Sequence, residues 1–175
     1  MIEYVTNTEI YEKVLCQQVF KAQRFVWMAT SDLKDLHVKK NRKVFPFLEV
    51  LSGLINKNVE IRLLHAKEPG QAFRRDFDKY PNLITGMERI LCPRVHLKSV
   101  IVDGQFAYTG SANLTGAGMG MKSPTRRNFE AGIITDETKL IEGVMNQFDG
   151  IWRGEYCRQC QKKKFCADYK DLLAK

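Results

Sequence analysis

At 175 residues, with 44% of them apolar, the chain has the size and composition of one globular domain, which excludes a disordered tail protein. No apolar run approaches the ~20 residues that span a bilayer, and the N-terminal MIEYVTNTEIYEK lacks the basic start and apolar middle of a secretory leader, so no integral membrane association and a cytoplasmic location are expected. The net charge of +8 gathers locally, at Lys39, Lys40, Arg42 and Lys43, at Arg74 and Arg75, at Arg126 and Arg127, and at Lys162 to Lys164. Such clusters suit a polyanion, nucleic acid or acidic lipid headgroups; the plain alternative for any one of them is a solvated face.

Taken in chain order, residues 8–21 carry Ile10, Val14, Val19 and Phe20 at helical spacing behind a capping Thr8. RFVWMAT (24–30) is a short continuous apolar run and predicts a buried strand. SDLKDLHVKKNRK is polar and basic and reads as a loop. In FPFLEVLSGLINKN, Phe47, Leu48, Leu51, Leu54 and Ile55 share a face and predict a helix, with Pro46 in its first turn. VEIRLLHA (59–66) predicts a second strand, and QAFRRDFDKY a short helix closed by Pro81. MERILCPRVHLKSVIVD reads as strand again, bent by Pro93. Asp103-Gly104 signals a tight hairpin with QFAYTG as the returning strand. NFEAGIITD (128–136) predicts a further strand and ETKLIEGVMNQFDGIW a closing helix. Alternating strands and helices define an α/β fold, a mixed sheet flanked by helices on both faces. Residues 1–153 form the expected catalytic domain, and 154–175 a cysteine-rich tail.

The stretch RVHLKSVIVDGQFAYTGSAN (94–113) carries the chemistry. Side chains two apart on an extended strand share a face, so His96 and Lys98 project together while Val95 and Leu97 go to the other side. After the turn the chain reaches Gly110-Ser111-Ala112-Asn113, where glycine admits close backbone approach to an anion and serine and asparagine supply neutral donors. The spacing H-x-K, four residues, D, then G-S-x-N resembles the signature of the phospholipase D superfamily, in the nuclease-like branch that carries the motif once. Asn128-Phe129-Glu130 resembles the N-x-E element that follows it in that family.

The resemblance implies a phospholipase D-like fold and a site built from His96, Lys98, Asp103, Ser111, Asn113 and Glu130. Imidazole attacks phosphorus and forms a covalent phosphohistidine, dividing a barrier that must be lowered by on the order of 20 kcal/mol. Lysine and asparagine hold the non-bridging oxygens, and no cofactor is needed for that chemistry. The resemblance assigns Glu130 to the far ring nitrogen of His96, and Asp103 to the geometry of the motif. Gly110, Arg126 and Arg127 are substrate-binding candidates, the two arginines reading equally as loop charges on the long glycine-rich stretch between Asn113 and Glu130. The mechanism needs a second, protonated histidine. The chain has three histidines, and neither His37 (His37-Val38-Lys39) nor His65 (His65-Ala66-Lys67) is followed by the D and G-S-x-N that complete the motif; a packed or solvated histidine is the better reading of each. Single-motif members of the family pair two chains, so a homodimer with a composite site is expected.

The tail carries Cys157, Cys160 and Cys166 as C-x2-C-x5-C. In a reducing compartment that spacing points to metal rather than disulfides. It resembles the end of the iron–sulfur staple of RecB-type nucleases, in which an upstream cysteine completes a four-iron cluster. Cys16 suits that role, with Cys92 the other candidate and zinc the rival metal. The function that results is a metal-independent phosphodiesterase, a nuclease acting on DNA or RNA. A phospholipase or phosphatidyltransferase of the same superfamily is the alternative, and a non-catalytic nucleic-acid-binding module the third reading.

Overall fold

The computed structural model describes residues 1–34, 36–40 and 42–169; the last residues of the expected tail, 170–175, lie outside them. Seven strands form one mixed sheet: β1 (Ile2–Thr6), β2 (Phe25–Thr30), β5 (Glu60–His65), β6 (Met87–Leu91), β7 (Ser99–Val102), β8 (Phe106–Gly110) and β9 (Ala131–Thr135). Their spatial order is β1-β9-β8-β7-β2-β5-β6. The sheet has two halves that meet at β2. On one side β5 and β6 run parallel to it, joined by crossovers that contain helices; on the other, β7, β8, β9 and β1 pair antiparallel in turn. A separate hairpin, β3 (His37–Lys40) and β4 (Lys43–Pro46), occupies the stretch whose polar composition predicted a loop.

Helices cover both faces. On one face lie α1 (Thr8–Ile10), which continues as a π-helical turn over Tyr11–Cys16, together with α2 (Phe47–Ile55), α3 (Gln71–Phe77) and α4 (Asn82–Gly86). Val14, Leu15, Leu48, Leu51, Phe73 and Leu83 there pack on Val26, Met28, Ile61, Leu63, Val100 and Val102 of the sheet. The other face is covered by α5 (Thr138–Trp152), whose Ile141, Val144, Phe148 and Ile151 form the i, i+3, i+7, i+10 stripe of an amphipathic helix. Phe148 stacks between Trp27 and Trp152, with centroids 5.2 and 5.7 Å away, and the Arg62 guanidinium lies over both indoles at 5.0 and 5.2 Å.

The Asp103-Gly104 turn has φ of 56° and 68° at its two central residues, the left-handed pair that a tight hairpin between right-twisted strands requires. At the other end of β8 a second glycine pair meets a different demand. Gly110 and Gly132 face each other across β8 and β9, and the buried Tyr108 ring lies against both. A Cβ on Gly132 would stand 2.4 Å from Tyr108 Cε2 and 2.7 Å from the Thr109 carbonyl oxygen. Gly132→Ala is therefore expected to lower stability by about 1–3 kcal/mol through overpacking, read as a lower urea midpoint with an unchanged slope.

Candidate active site

The chain leaves β6 through a turn at Pro93 and Arg94, closed by the Val95 N–H on the Cys92 carbonyl at 2.9 Å, and residues 95–98 lead into β7 with the alternation expected of them. Val95 is buried and Leu97 half-buried in the layer beneath α5, while His96 is exposed and Lys98 half-buried on the opposite side. Lys98 Nζ donates to the His96 carbonyl at 2.8 Å, and burial lowers the Lys98 pKa from the ordinary lysine value, with the Glu130 carboxylate opposing that shift. The Lys98 carbonyl in turn accepts the Gly110 N–H at 3.1 Å, which joins the two halves of the motif across neighbouring strands.

Asn113 is fixed by β2. Its Oδ1 accepts from Ser31 N–H (3.2 Å), the Ser31 hydroxyl (2.9 Å) and Asp32 N–H (3.1 Å), with the Thr30 hydroxyl 3.1 Å away. So many donors define that atom as the oxygen and leave the Nδ2 hydrogens as the end of the side chain open to a ligand. Thr30 also accepts the Leu114 N–H at 3.1 Å, so the end of β2 holds both the Asn113 side chain and the backbone that follows it.

Glu130 is buried and engaged. The Ser111 hydroxyl donates to its Oε2 and Asn128 Nδ2 to its Oε1 at 3.1 Å. Ser111 is itself tied to β9 by accepting the Ala131 N–H at 3.1 Å. Among the described residues the His96 ring makes no hydrogen bond, so Glu130 stands in a rail with Ser111 and Asn128 rather than on the ring nitrogen. Asn7 clamps the same residue from a distant part of the chain: it donates its N–H to the Glu130 carbonyl at 2.9 Å and accepts the Glu130 N–H on Oδ1 at 3.0 Å. It does so at φ 47°, a costly backbone for a residue other than glycine. Neither Asn7 nor Thr30 stands out in the sequence; a Thr-Asn-Thr turn carries no sign that its partner lies over a hundred residues away.

Other expected site residues are placed elsewhere. Asp103 closes the far end of β7, about 16 Å of extended chain from Lys98. Its carboxylate accepts three backbone N–H groups, from Gln23 (2.9 Å), Arg24 (2.7 Å) and Phe25 (2.9 Å), so it fastens the hairpin to the start of β2 and does not stand among the reacting groups. Gly110 makes room for Tyr108, whose hydroxyl would lie 2.4 Å from an added Cβ and accepts the Ala112 N–H. Arg127 is consumed inside the protein, its Nη1 donating to the Gly120 carbonyl and its Nη2 to the Asn7 carbonyl at 3.0 Å. Arg126 is exposed on the short 3-10 turn Pro124–Arg126. His65, at the end of β5, is buried with Nδ1 2.8 Å from the Lys67 carbonyl, and burial pushes its pKa down. His37 lies on the β3–β4 hairpin. Cys16 sits half-buried beside Tyr11 on the first helix, across the sheet from the tail; the cysteine that joins Cys157, Cys160 and Cys166 around one cavity is Cys92.

One sheet end thus gathers an exposed imidazole, a half-buried lysine, an oriented amide and a buried carboxylate, a set of groups suited to a phosphate ester. The family model described as cardiolipin synthase, PLD-like domain, matches residues 15–152, and the chain belongs to that phospholipase D-like family. No curated protein matches the chain in sequence. Among solved structures it is similar to Nuc from Salmonella typhimurium, a phospholipase D family member, at 17% identity and TM-score 0.62, over 87% of this chain and 94% of that one. NucT from Helicobacter pylori is similar at 14% identity and TM-score 0.62, over 87% and 97%. Phosphatidylserine synthase from Haemophilus influenzae shares the fold at 14% identity and TM-score 0.58, over 87% of this chain but 38% of its own length.

Because Asp103 binds backbone rather than ligand, Asp103→Asn is expected to cost about 1.5–3 kcal/mol of stability, the loss of charged acceptors for three N–H groups. The turnover of the folded fraction, measured below the shifted unfolding transition, is expected to stay at the wild-type value.

Proposed function

We propose that the protein is a metal-independent phosphodiesterase acting on nucleic acid, working through a phosphohistidine at His96 in a site shared by two copies of the chain. The observation that supports this reading is that His96, Lys98 and Asn113 lie at the same end of the sheet, with the backbone fixed there by the Lys98–Gly110 bond and the Asn113 amide oriented by Ser31 and Asp32. The Lys98 ammonium and the Asn113 amide hold the non-bridging oxygens of the substrate and stabilise charge that builds on them. The His96 ring nitrogen attacks phosphorus; a P–N bond forms as the P–O bond to the leaving strand breaks. The leaving oxygen takes a proton from the imidazolium of a second His96. That imidazole, now neutral, takes a proton from water, whose oxygen attacks phosphorus and releases the first histidine.

The second histidine has to come from a second copy. His65 is buried and bound to the Lys67 carbonyl, and its depressed pKa disfavours the protonated form that a general acid needs, while His37 belongs to the separate hairpin. An unpartnered apolar stripe on the β1–β9 edge supports pairing: Tyr4 is 69% exposed and sits opposite Ile133, and Phe129, just ahead of β9, is 98% exposed. Nucleic acid is favoured over phospholipid by overall size. The chain covers 94% and 97% of Nuc and NucT, but matches only 38% of the synthase.

Cleavage of labelled single- and double-stranded DNA and RNA in excess EDTA tests the reading. Cutting is expected to persist in EDTA, to vanish in His96→Ala and to fall by about 10²–10³ in Lys98→Met. In an equal, re-equilibrated mixture of wild type and His96→Ala, a composite site predicts about a quarter of the wild-type activity, whereas self-contained sites predict about half. Inactivity of a folded dimer on all four substrates, or turnover of phospholipid vesicles instead, would overturn the nuclease reading.

A further inference from the structure

Beyond α5 the chain turns at Gly154 (φ 76°) and runs back over the connection between β6 and β7. Two bonds fasten it there. The Leu91 N–H donates to the Asp168 carboxylate at 2.7 Å, and the Cys166 thiol lies 3.5 Å from the Leu91 carbonyl oxygen. Between the returning tail and residues 90–95 lies a cavity of about 210 Å³, and four of the chain's five cysteines line it: Cys92, Cys157, Cys160 and Cys166. All four are half-buried free thiols.

The tail's described residues bury little apolar surface: they form turns and one short 3-10 segment, Lys163–Phe165, with Phe165 at 71% exposure, Tyr156 at 56% and Tyr169 half-buried. A segment that buries so little apolar surface keeps a fixed shape only with a cross-link or a metal. The surroundings suit a metal bound by thiolates. The Lys162 N–H donates to Cys160 Sγ at 3.4 Å, an outer hydrogen bond that lowers the charge on a ligand sulfur, and Arg94 and Lys162 line the same cavity with positive charge. Among the described residues no three His, Cys, Asp or Glu groups converge at single-ion distance. The thiols stand around the cavity, so binding draws them inward or spans them with a cluster larger than one ion.

We propose that Cys92, Cys157, Cys160 and Cys166 form a tetrathiolate metal centre, a zinc ion or an iron–sulfur cluster, that clamps the C-terminal tail onto the segment leading to His96. Four thiolates select soft metals over magnesium or calcium. Cys92 lies four residues before His96, and its carbonyl accepts the Val95 N–H at 2.9 Å. The clamp therefore fixes the turn from which the His96 strand emerges. The metal stands outside the phosphate site and takes no part in bond breaking. Cys16, on the opposite face, is excluded from the ligand set.

The test is the metal content of the full chain purified without oxygen, with iron, zinc and acid-labile sulfide measured per chain and the visible spectrum recorded. Stoichiometric zinc without colour, or iron with sulfide and a visible absorption band, supports the centre and identifies it. Cys92→Ser is expected to lose the metal and Cys16→Ser to keep it in full. Since Cys92 borders the core, Cys160→Ser in the exposed tail provides a second loss-of-metal variant whose fold is checked by circular dichroism. Trypsin should cut at Lys162 to Lys164 faster in both metal-free variants than in the wild type. A wild-type chain that holds neither metal after reconstitution, or a Cys92→Ser chain that retains it while Cys16→Ser loses it, overturns the proposal. None of these readouts depends on nuclease activity.

Discussion

A single backbone bond, from the Gly110 N–H to the Lys98 carbonyl, sets the register on which the site depends. β7 and β8 are antiparallel, so the H-x-K and G-S-x-N ends of a twenty-residue stretch return to the same edge only if Ser99 pairs with Thr109 and Val102 with Phe106. A slip of one residue would turn His96 and Lys98 into the layer beneath α5 and bring Val95 and Leu97 out. Several features guard against it. The Asp103-Gly104 turn has a left-handed pair that suits a tight hairpin, the Asp103 carboxylate locks that turn to β2, and β2 pairs with β7 from Val26↔Val102 to Ala29↔Ser99. The far end of the hairpin, with no ligand of its own, thereby decides what the near end can hold.

The near end is an electrostatic compromise. A buried carboxylate and a half-buried ammonium both carry a desolvation cost, which is tolerable because each offsets the other and because polar neighbours complete their bonding. Glu130 has two side-chain donors, Ser111 and Asn128, and a backbone held on both sides by Asn7. Lys98 spends one hydrogen on the His96 carbonyl, which leaves two for a ligand. In the reaction proposed above a phosphate would take up those two hydrogens, and donors fixed before the ligand arrives are the kind of preorganised charge that lowers a barrier most.

What could be read in the sequence was what is local. The β7–β8 hairpin is legible because its turn chemistry and both strands fit inside twenty residues. The helix at Phe47–Ile55 is legible because its apolar stripe repeats at 3.6. The elements that escaped depend on partners far away. β1 is a strand because β9 lies beside it, and Ile2-Glu3-Tyr4-Val5-Thr6 alone shows only a weak alternation. The β3–β4 hairpin reads as a polar loop until Val38 is seen buried in the core. The same holds in the site. Spacing announces His96, Lys98 and Asn113, whereas Asn7, Thr30 and the choice of Cys92 over Cys16 follow from which elements the sheet order brings together. Sequence spacing places both cysteines upstream of the tail; only the topology puts one beneath it and the other across the sheet.

The surplus of positive charge also looks different once its internal uses are subtracted. Arg62 is held between two indoles and two glutamates, Arg24 lies against Phe25 and the Asp103 carbonyl, and Arg127 is bonded to the carbonyls of Gly120 and Asn7. These arginines hold the fold, and little of their charge is free to meet a polyanion. Arg127 nonetheless shapes that meeting, because by binding Gly120 and Asn7 it fastens the long loop between Asn113 and Glu130 against the body of the domain. Lys122 and Arg126 are then displayed at the surface of a loop whose two ends are the amide and the carboxylate of the site. On the nuclease reading proposed above, a substrate with a charge at every nucleotide would meet these two exposed cations through phosphates flanking the reacting one, which would strengthen binding without favouring any base. On that reading the loop that departs most from a minimal motif is the part of the chain that would distinguish a polymer from a single phosphodiester.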